Sequence, residues 1–258
     1  MPTKFALASM TVVVPDEKFT FWFDGNGKVT LDNGNFDNPR PNAFSLVQVQ
    51  DCPFATPACT SVCYVHNLEK AEQEVHEKYR LNSVAIRKAL ASKYRSKIEN
   101  AFANWARINA PRGFRWHVSG DIISAEHAEF IRNVCILAPD ILFWIYTRSF
   151  VYVEPLVGIK NLVVNLSADE DNFAEALETH KKFGLRVCYL TVDGTVPELP
   201  EDSVIFPNYT LRGRDLPKPT DAPWWRSLTK EQKKIVCPPD FFGQSEKLRC
   251  GPCRKCLV

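Results

Sequence analysis

The 258-residue sequence lacks several features that would assign it to a class at once. No apolar run reaches the roughly 18 residues needed to cross a bilayer, and the first ten residues do not read as a signal peptide. The net charge is only +2, and no concentrated basic patch indicates a nucleic-acid partner. The chain also has no Walker motif, no dinucleotide glycine motif and no HExxH zinc motif. We therefore expect a cytoplasmic protein without a membrane partner.

Nine cysteines stand out against these absences. Disulfides are rare in a reducing cytoplasm, so clustered cysteines there indicate metal or redox chemistry. Seven of the nine fall into two groups: Cys52, Cys59 and Cys63 near the start, and Cys237, Cys250, Cys253 and Cys256 at the end. Cys135 and Cys188 lie within apolar helix and strand patterns, and we predict that both are small core residues.

The C-terminal group has the spacing of an iron–sulfur ligand set. Cys250, Cys253 and Cys256 follow one another at intervals of three, which lets the chain curl around a cubane cluster. Cys237 precedes Pro238, as the remote ligand of bacterial ferredoxins precedes a proline, and it would supply the fourth thiolate. Zinc is the alternative, although structural zinc sites usually pair two CxxC knuckles and the second knuckle is missing here.

The N-terminal group places three cysteines in one loop, directly after a strand predicted over 44–49. Three thiolates can ligate three irons of a [4Fe–4S] cluster and leave the fourth iron open for a substrate or cofactor. This site would then be reactive, and the C-terminal site would be structural or electron-relaying. The alternatives are that these cysteines pack within the loop, or that both groups share a single cluster.

From residue 44 onward, apolar runs alternate with helical patterns, which indicates a parallel sheet with right-handed crossovers. Helices are predicted over 83–108, 125–137 and 172–183. A hairpin turn is predicted at Asp24-Gly25-Asn26-Gly27, between strands over 19–23 and 28–31. The fold class is therefore α/β, either an open doubly wound sheet or a partial or complete (βα) barrel. The predicted parts are an N-terminal β extension (1–43), a barrel-like core (44–210) and a cysteine-rich metal-binding tail (211–258).

Polar residues follow the predicted strands at their carboxyl ends, where α/β folds place their active sites. For any single residue an ordinary turn or cap role is the alternative, but the repetition across strands favours a site. The candidates for cofactor binding are Ser119, Gly120, Asp121, Thr147, Arg148 and Asn165. We predict that His117 is a hydrogen-bonded core histidine, with a place in the barrel mouth as its alternative.

In combination, several of these segments resemble a known family. The segments are Cys52-Pro53 with Ala55-Thr56 and Cys59, Cys63-Tyr64, Trp116 to Asp121, Tyr146-Thr147-Arg148 and the C-terminal Cys-x-x-Cys-x-x-Cys. Together they are similar to phage-encoded proteins called gene product eighty-eight, over roughly residues 44–258. More distantly, a cysteine loop after the first strand of a (βα) series resembles the radical S-adenosylmethionine (SAM) superfamily.

The resemblance implies that the open iron of a [4Fe–4S] cluster binds SAM, with Ser119-Gly120-Asp121 in the place of the superfamily's glycine motif. One-electron reduction would cleave SAM to a 5′-deoxyadenosyl radical, which takes hydrogen from a small-molecule substrate. The resemblance also implies that an electron donor reduces the cluster and that the protein acts in the host cytoplasm. The first alternative is a non-enzymatic iron–sulfur protein that carries electrons, senses redox state or binds a host protein. The second is a zinc-stabilised nucleic-acid-binding protein, and whether the chain is an enzyme stays open.

Overall fold

The computed structural model describes residues 5–26, 40–66, 72–212, 216, 218–242 and 250–257. One mixed sheet forms its centre, with strands β1 (Phe5–Val14), β2 (Glu17–Asn26), β3 (Ala43–Phe44), β4 (Phe114–Trp116), β5 (Phe143–Thr147), β6 (Leu162–Ala168), β7 (Arg186–Thr191) and β8 (Val204–Pro207). The eight strands lie side by side in chain order. β1, β2 and β3 are antiparallel neighbours, and β3 through β8 are parallel.

The helices are α1 (Pro57–Ser61), α2 (Gln73–Ala91), α3 (Arg95–Asn109), α4 (Ala125–Leu137), α5 (Phe173–Phe183), α6 (Pro223–Ser227), α7 (Lys230–Ile235), α8 (Pro238–Phe241) and α9 (Cys250–Cys253). Short 3-10 turns lie at Phe150–Tyr152, Glu154–Leu156, Tyr209–Arg212 and Pro219–Asp221. α2 to α5 pack on one side of the sheet through a single large core, and we call this side the helical face. The opposite side, which we call the tail face, is contacted by the C-terminal segment. Every helix in the described ranges is too short or too polar to span a bilayer.

The strand order decides between the architectures that the sequence leaves open. Parallel strands in chain order with right-handed crossovers carry their connections on one side, whereas a doubly wound sheet carries helices on both. Within the described residues, β1 pairs with β2 alone, and β8 pairs with β7 and one residue of the tail. The sheet therefore does not close, and the complete barrel is wrong. The protein is an open α/β fold, and a likeness to the radical SAM barrel stays a prediction.

Local sequence signals explain the elements that match prediction. α4 begins after Ser124, whose hydroxyl accepts a hydrogen bond from the backbone of His127 at 3.2 Å, as an N-cap residue does. α5 ends at Gly184, which adopts a left-handed conformation with φ of +68°. β5 and β6 are near-continuous apolar runs because both of their faces are covered. The predictions of helices near 125–137 and 172–183 are confirmed.

The helix predicted over 83–108 is instead two helices, α2 and α3, separated around Ser92 and Tyr94. The hydroxyl of Ser92 donates to the carboxylate of Glu17 at 2.6 Å, and the hydroxyl of Tyr94 donates to that of Asp16 at 3.0 Å. The helical periodicity continues across this point, but a tertiary contact with the β1–β2 turn ends α2 there. The long single helix is therefore wrong.

The predicted turn at Asp24-Gly25-Asn26 is also wrong, because β2 continues to Asn26 and the hairpin turns between Val14 and Glu17. Gly25 allows a close approach: a Cβ there would lie 1.8 Å from the carbonyl oxygen of Arg40. The partner strand predicted at 28–31 lies outside the described residues. The strand predicted over 44–49 is reduced to β3.

Aromatic rings fill the helical face between the hairpin and the first parallel strands. The ring of Phe102 in α3 lies 4.8 Å from that of Phe21 and 5.3 Å from those of Phe23 and Phe44. It also makes edge contact with Phe130 of α4 at 5.2 Å. Phe102 is 1% exposed, so its ring joins the hairpin, β3 and α4 in one core.

We expect Phe102→Ala to lower the free energy of unfolding by about 3–5 kcal/mol, because it removes a ring that those four rings and the ring of Trp116 surround. Chemical denaturation followed by circular dichroism measures the change. Ile108→Ala is the control, since this side chain on the same helix is 75% exposed and its loss should cost under about 0.5 kcal/mol. Equal losses for both variants would contradict this description of the core.

Candidate functional site

The loop that carries the N-terminal cysteines is fixed over the carboxyl end of β6. Thr56 caps α1 by accepting a hydrogen bond from the backbone of Cys59 at 3.0 Å, and Pro57 starts the helix. The hydroxyl of Thr56 also donates to the carboxylate of Asp169 at 2.6 Å. Asp171 accepts from the backbone of Ala58 at 2.8 Å. Two carboxylates that follow β6 therefore hold the loop that contains Cys52, Cys59 and Cys63.

Asp121 ties the ends of β4 and β5 together. Its carboxylate accepts from the hydroxyl of Thr147 at 2.6 Å and from the backbone of Arg148 and Ile122, both at 2.7 Å. Its own backbone N–H donates to the carbonyl of Asp51, next to Cys52, at 2.8 Å. Burial raises the pKa of the Asp121 carboxyl, and the hydrogen bonds from Thr147 and Arg148 oppose this rise. Both carboxylate oxygens accept hydrogen bonds from the chain, so the side chain serves to position the carboxyl ends of the parallel strands. We call this edge of the sheet the mouth.

Gly120 and Ser119 complete the segment before Asp121. Gly120 has φ of +77°, and a Cβ there would lie 2.5 Å from that of Leu46. The backbone N–H of Leu46 donates to the carbonyl of Ser119 at 2.9 Å, so this segment crosses closely over the chain that leads to Cys52. The hydroxyl of Ser119 is buried and has no hydrogen-bond partner among the described residues.

Arg148 forms a buried ion pair at the same edge of the sheet. Its guanidinium donates to the carboxylate of Asp169 at 3.0 Å, and the Asp169 side chain is fully buried. Asp169 thus accepts from both Arg148 and Thr56, which links the cysteine loop to β5 and β6. The positive charge of Arg148 also acts on the thiol of Cys59.

The three thiols of the loop are partly buried and act electrostatically on one another. Burial raises the pKa of Cys52 to about 12, and the carboxylate of Asp121 and the other two thiols add to the rise. Burial also raises the pKa of Cys59, which Arg148 opposes. Without an added cation the loop therefore favours neutral thiols. In the described part of the chain, no three His, Cys, Asp or Glu side chains form a group that could hold a metal ion.

Asn165, which we predicted at this mouth, lies elsewhere. β6 continues to Ala168, so Asn165 is inside the strand and on the tail face. Its side-chain amide donates to the carbonyls of Ile145 at 3.3 Å and Cys256 at 3.2 Å. The structure thus brings five of the six candidate cofactor residues together near the cysteine loop and assigns Asn165 to the tail.

The C-terminal cysteines lie against the tail face, away from the neighbours of the N-terminal loop. Cys250 packs with Trp144, and Cys237 and Cys256 pack with Val204 of β8. Cys253 is partly exposed on α9. The two cysteine groups therefore contact different parts of the parallel strands: the loop lies at their carboxyl ends, and the tail lies along the tail face.

The two isolated cysteines behave differently from each other. Cys135 is fully buried in the core of the helical face, as predicted. Cys188 is also buried, but it packs on the tail face with Cys237 and Cys256. The prediction that Cys188 is merely a core residue did not anticipate that its neighbours would be thiols.

His117 belongs to the core and not to the mouth. His117 directly follows β4 and has a left-handed backbone, with φ of +58°, so the alternation of side chains between the two faces of the sheet stops there. Its ring lies 5.1 Å from that of His127 in α4. Burial lowers the pKa of His117 to about 3, so the ring is neutral. Neither ring nitrogen of His117 has a hydrogen-bond partner among the described residues. The core placement is confirmed, and the predicted hydrogen bonding is not found.

Thr56 is the site residue that sequence reasoning missed. A threonine directly before a proline is an N-cap signature, so the short helix α1 could have been predicted from it. Nothing in the sequence pairs Thr56 with Asp169, which lies 113 residues further along the chain. That contact depends on the parallel register, which brings the end of β6 under the loop.

Comparison with known proteins places the chain in a family. The family model described as Gene product 88 matches residues 20–258. The Gene 88 protein of Mycobacterium phage L5 is 31% identical over 173 residues, which cover 64% of this chain and 69% of the relative. The Gene 88 protein of Mycobacterium phage D29 is 30% identical over 181 residues, covering 67% and 71% respectively. No solved structure matches. The chain therefore belongs to the Gene product 88 family of phage proteins.

Proposed function

We propose that the chain is an iron–sulfur protein in which Cys52, Cys59 and Cys63 hold a [4Fe–4S] cluster at the carboxyl ends of the parallel strands. A second cluster is held by the cysteines of the tail. One observation carries the proposal: three thiols of a single loop lie within electrostatic reach of one another and of Asp121. Active sites of α/β folds occupy this edge of the sheet.

The electrostatics of the loop favour the binding of a cationic group. Thiolates are the form that binds metal, and here burial and the carboxylate of Asp121 disfavour them. An iron core compensates for both effects and for the mutual repulsion of three thiolates. The loop supplies three thiols, whereas structural zinc sites take four ligands, so a cluster with one open iron suits the loop better than zinc.

The chain's own residues would orient this site. A cluster with three protein ligands supplies one-electron chemistry and an open iron to a bound small molecule. Thr56 and Asp169 fix the position of α1, and Asp121 fixes the strand ends beneath Cys52. Arg148 contributes positive charge beside Cys59, which stabilises its thiolate.

Anaerobic purification tests the proposal. We expect a brown protein that contains iron and inorganic sulfide, and a triple variant with alanine at positions 52, 59 and 63 should keep about half of the iron. Cys135→Ala is the matched control, since this thiol lies in the helical core and its loss should leave the iron content unchanged. A parent protein with zinc alone, or without sulfide, would rule the proposal out.

A radical SAM activity is the second candidate for the mouth site. It is favoured by the buried hydroxyl of Ser119, which has no partner within the part of the chain that the structure describes and could bind a polar group of a ligand next to Gly120. Asp121 accepts three hydrogen bonds within the chain, two at Oδ1 and one at Oδ2, which leaves about one acceptor position of Oδ2 for a ligand group. Release of 5′-deoxyadenosine after incubation with SAM and dithionite would support the enzyme. A cluster that is reduced reversibly without SAM cleavage would support an electron carrier, redox sensor or host-factor binder.

A further inference from the structure

Cys188 lies in the middle of β7, and its side chain points to the tail face. It is 3% exposed and packs with Cys237 and Cys256, together with Val204 and Tyr146. Its thiol is also in hydrogen-bond contact with that of Cys256. Three sulfurs from distant parts of the chain thus meet on one surface of the sheet.

Asn165 holds this arrangement from the neighbouring strand. Its carbonyl oxygen lies 3.7 Å from the sulfur of Cys188, which donates to it. Its amide nitrogen donates to the backbone carbonyl of Cys256 at 3.2 Å. One buried side chain therefore fixes both the strand thiol and the chain segment that carries the tail thiol.

The third thiol is anchored by the backbone. The N–H of Cys237 donates to the carbonyl of Ile205 at 2.8 Å, and Val236 forms a parallel bridge with Ile205 of β8. The tail thus returns along the edge of the sheet and places Cys237 beside Cys188.

A fourth thiol approaches the same region through Tyr146. Cys250 packs in the same cluster as this partly buried tyrosine, and Cys188, Cys250 and Cys256 all act electrostatically on its hydroxyl. Cys250, Cys253 and Cys256 are all partly exposed, but within the described ranges Cys253 is the one tail cysteine outside the two packed clusters that contain the others. The tail face therefore gathers Cys188, Cys237, Cys250 and Cys256.

A purely structural role does not account for this grouping. Cys135, the other buried cysteine outside the predicted groups, packs within the aliphatic and aromatic core of the helical face. Cys188 instead meets other thiols and a buried amide that orients it. Thiols gathered from three chain segments are typical of a metal site, in which the ion or cluster joins the segments.

We propose that Cys188 is a ligand of the tail metal site, together with Cys237, Cys250 and Cys256, and that Cys253 is not a ligand. The sheet itself then supplies one ligand and the tail supplies three. The inference rests on the proposed tail site but does not depend on whether that site holds a [4Fe–4S] cluster or zinc, because either takes four thiolates.

Metal analysis of variants tests the assignment in a Cys52→Ala, Cys59→Ala, Cys63→Ala background, where only the tail site remains. Iron, zinc and sulfide are counted per chain after anaerobic reconstitution. We expect the background protein to hold about four irons or about one zinc, Cys188→Ala to lose at least three quarters of this metal, and Cys253→Ala to retain nearly all of it. Cys135→Ala should also retain it.

We expect opposite results for Cys188→Ala and Cys253→Ala. If Cys188→Ala does not fold, the metal content of Cys253→Ala still shows whether Cys253 is a ligand. Loss of the metal in Cys253→Ala would overturn the inference, since Cys253 lies outside both packed clusters and its replacement should not affect folding. Full retention in a folded Cys188→Ala would also overturn it. A background protein without any bound metal would refute the tail site itself, which is a different outcome from a wrong ligand.

Discussion

Replacing Cys59 by serine is expected to remove about half of the bound iron and sulfide and to leave the fold intact. Cys59 is a predicted ligand, but it contributes to the fold through its backbone, whose N–H donates to Thr56 and whose carbonyl accepts from Val62, and serine keeps both groups. We therefore expect the thermal midpoint of the metal-free protein to shift by less than about 2–4 °C, which corresponds to under about 1 kcal/mol. Iron and sulfide analysis, together with calorimetry of the metal-free protein, provides the two measurements.

Ser61→Ala is the matched control for this variant, because it removes a polar side chain from the same helix without touching a predicted ligand. Its iron content should equal that of the parent. An unchanged iron content in Cys59→Ser would exclude Cys59 as a ligand. Complete loss of iron would instead indicate a single cluster shared between the loop and the tail.

Replacing Asp169 by alanine is expected to lower the free energy of unfolding by about 3–5 kcal/mol, because the guanidinium of Arg148 loses its buried partner. The same change removes the acceptor of the Thr56 hydroxyl, so the cysteine loop loses a contact with the sheet. Urea denaturation of the metal-free protein measures the stability, and the iron content of the reconstituted protein measures the effect on the loop.

Asp171→Ala serves as the control for Asp169→Ala. Asp171 is exposed and accepts one backbone hydrogen bond from the same loop, so its loss should cost about 1 kcal/mol or less. Asp169→Asn retains an acceptor for Thr56 without the charge, and it should lie between the two. If all three variants had the same small effect, the ion pair would not be what holds the loop in place.

Local signals in the sequence predicted several elements correctly. Ser124 and Gly184 mark the start of α4 and the end of α5, and each acts through its own backbone neighbourhood. Burial on both faces of a sheet requires a continuous apolar sequence, so the apolar runs of β5 and β6 identified the central parallel strands. The position of Cys52 to Cys63 near the carboxyl ends of these strands followed from the direction of parallel strands.

What could not be predicted depends on contacts between distant segments. α2 ends where Ser92 meets Glu17, and Gly25 is required by the approach of Arg40, so neither feature has a local cause. Asn165 was assigned to the mouth because β6 is longer than its apolar run indicates. Cys188 has the pattern of a core residue, and only the return of the tail along β8 reveals its thiol neighbours.

The iron and acid-labile sulfide content of the full chain, after anaerobic reconstitution, tests the central claim most directly. Two clusters, one at the loop and one at the tail, predict about eight irons and about eight sulfides per chain. A value of about four of each would contradict the two-site account and favour a single shared cluster. Zinc without sulfide, or no bound metal, would contradict the iron–sulfur assignment altogether.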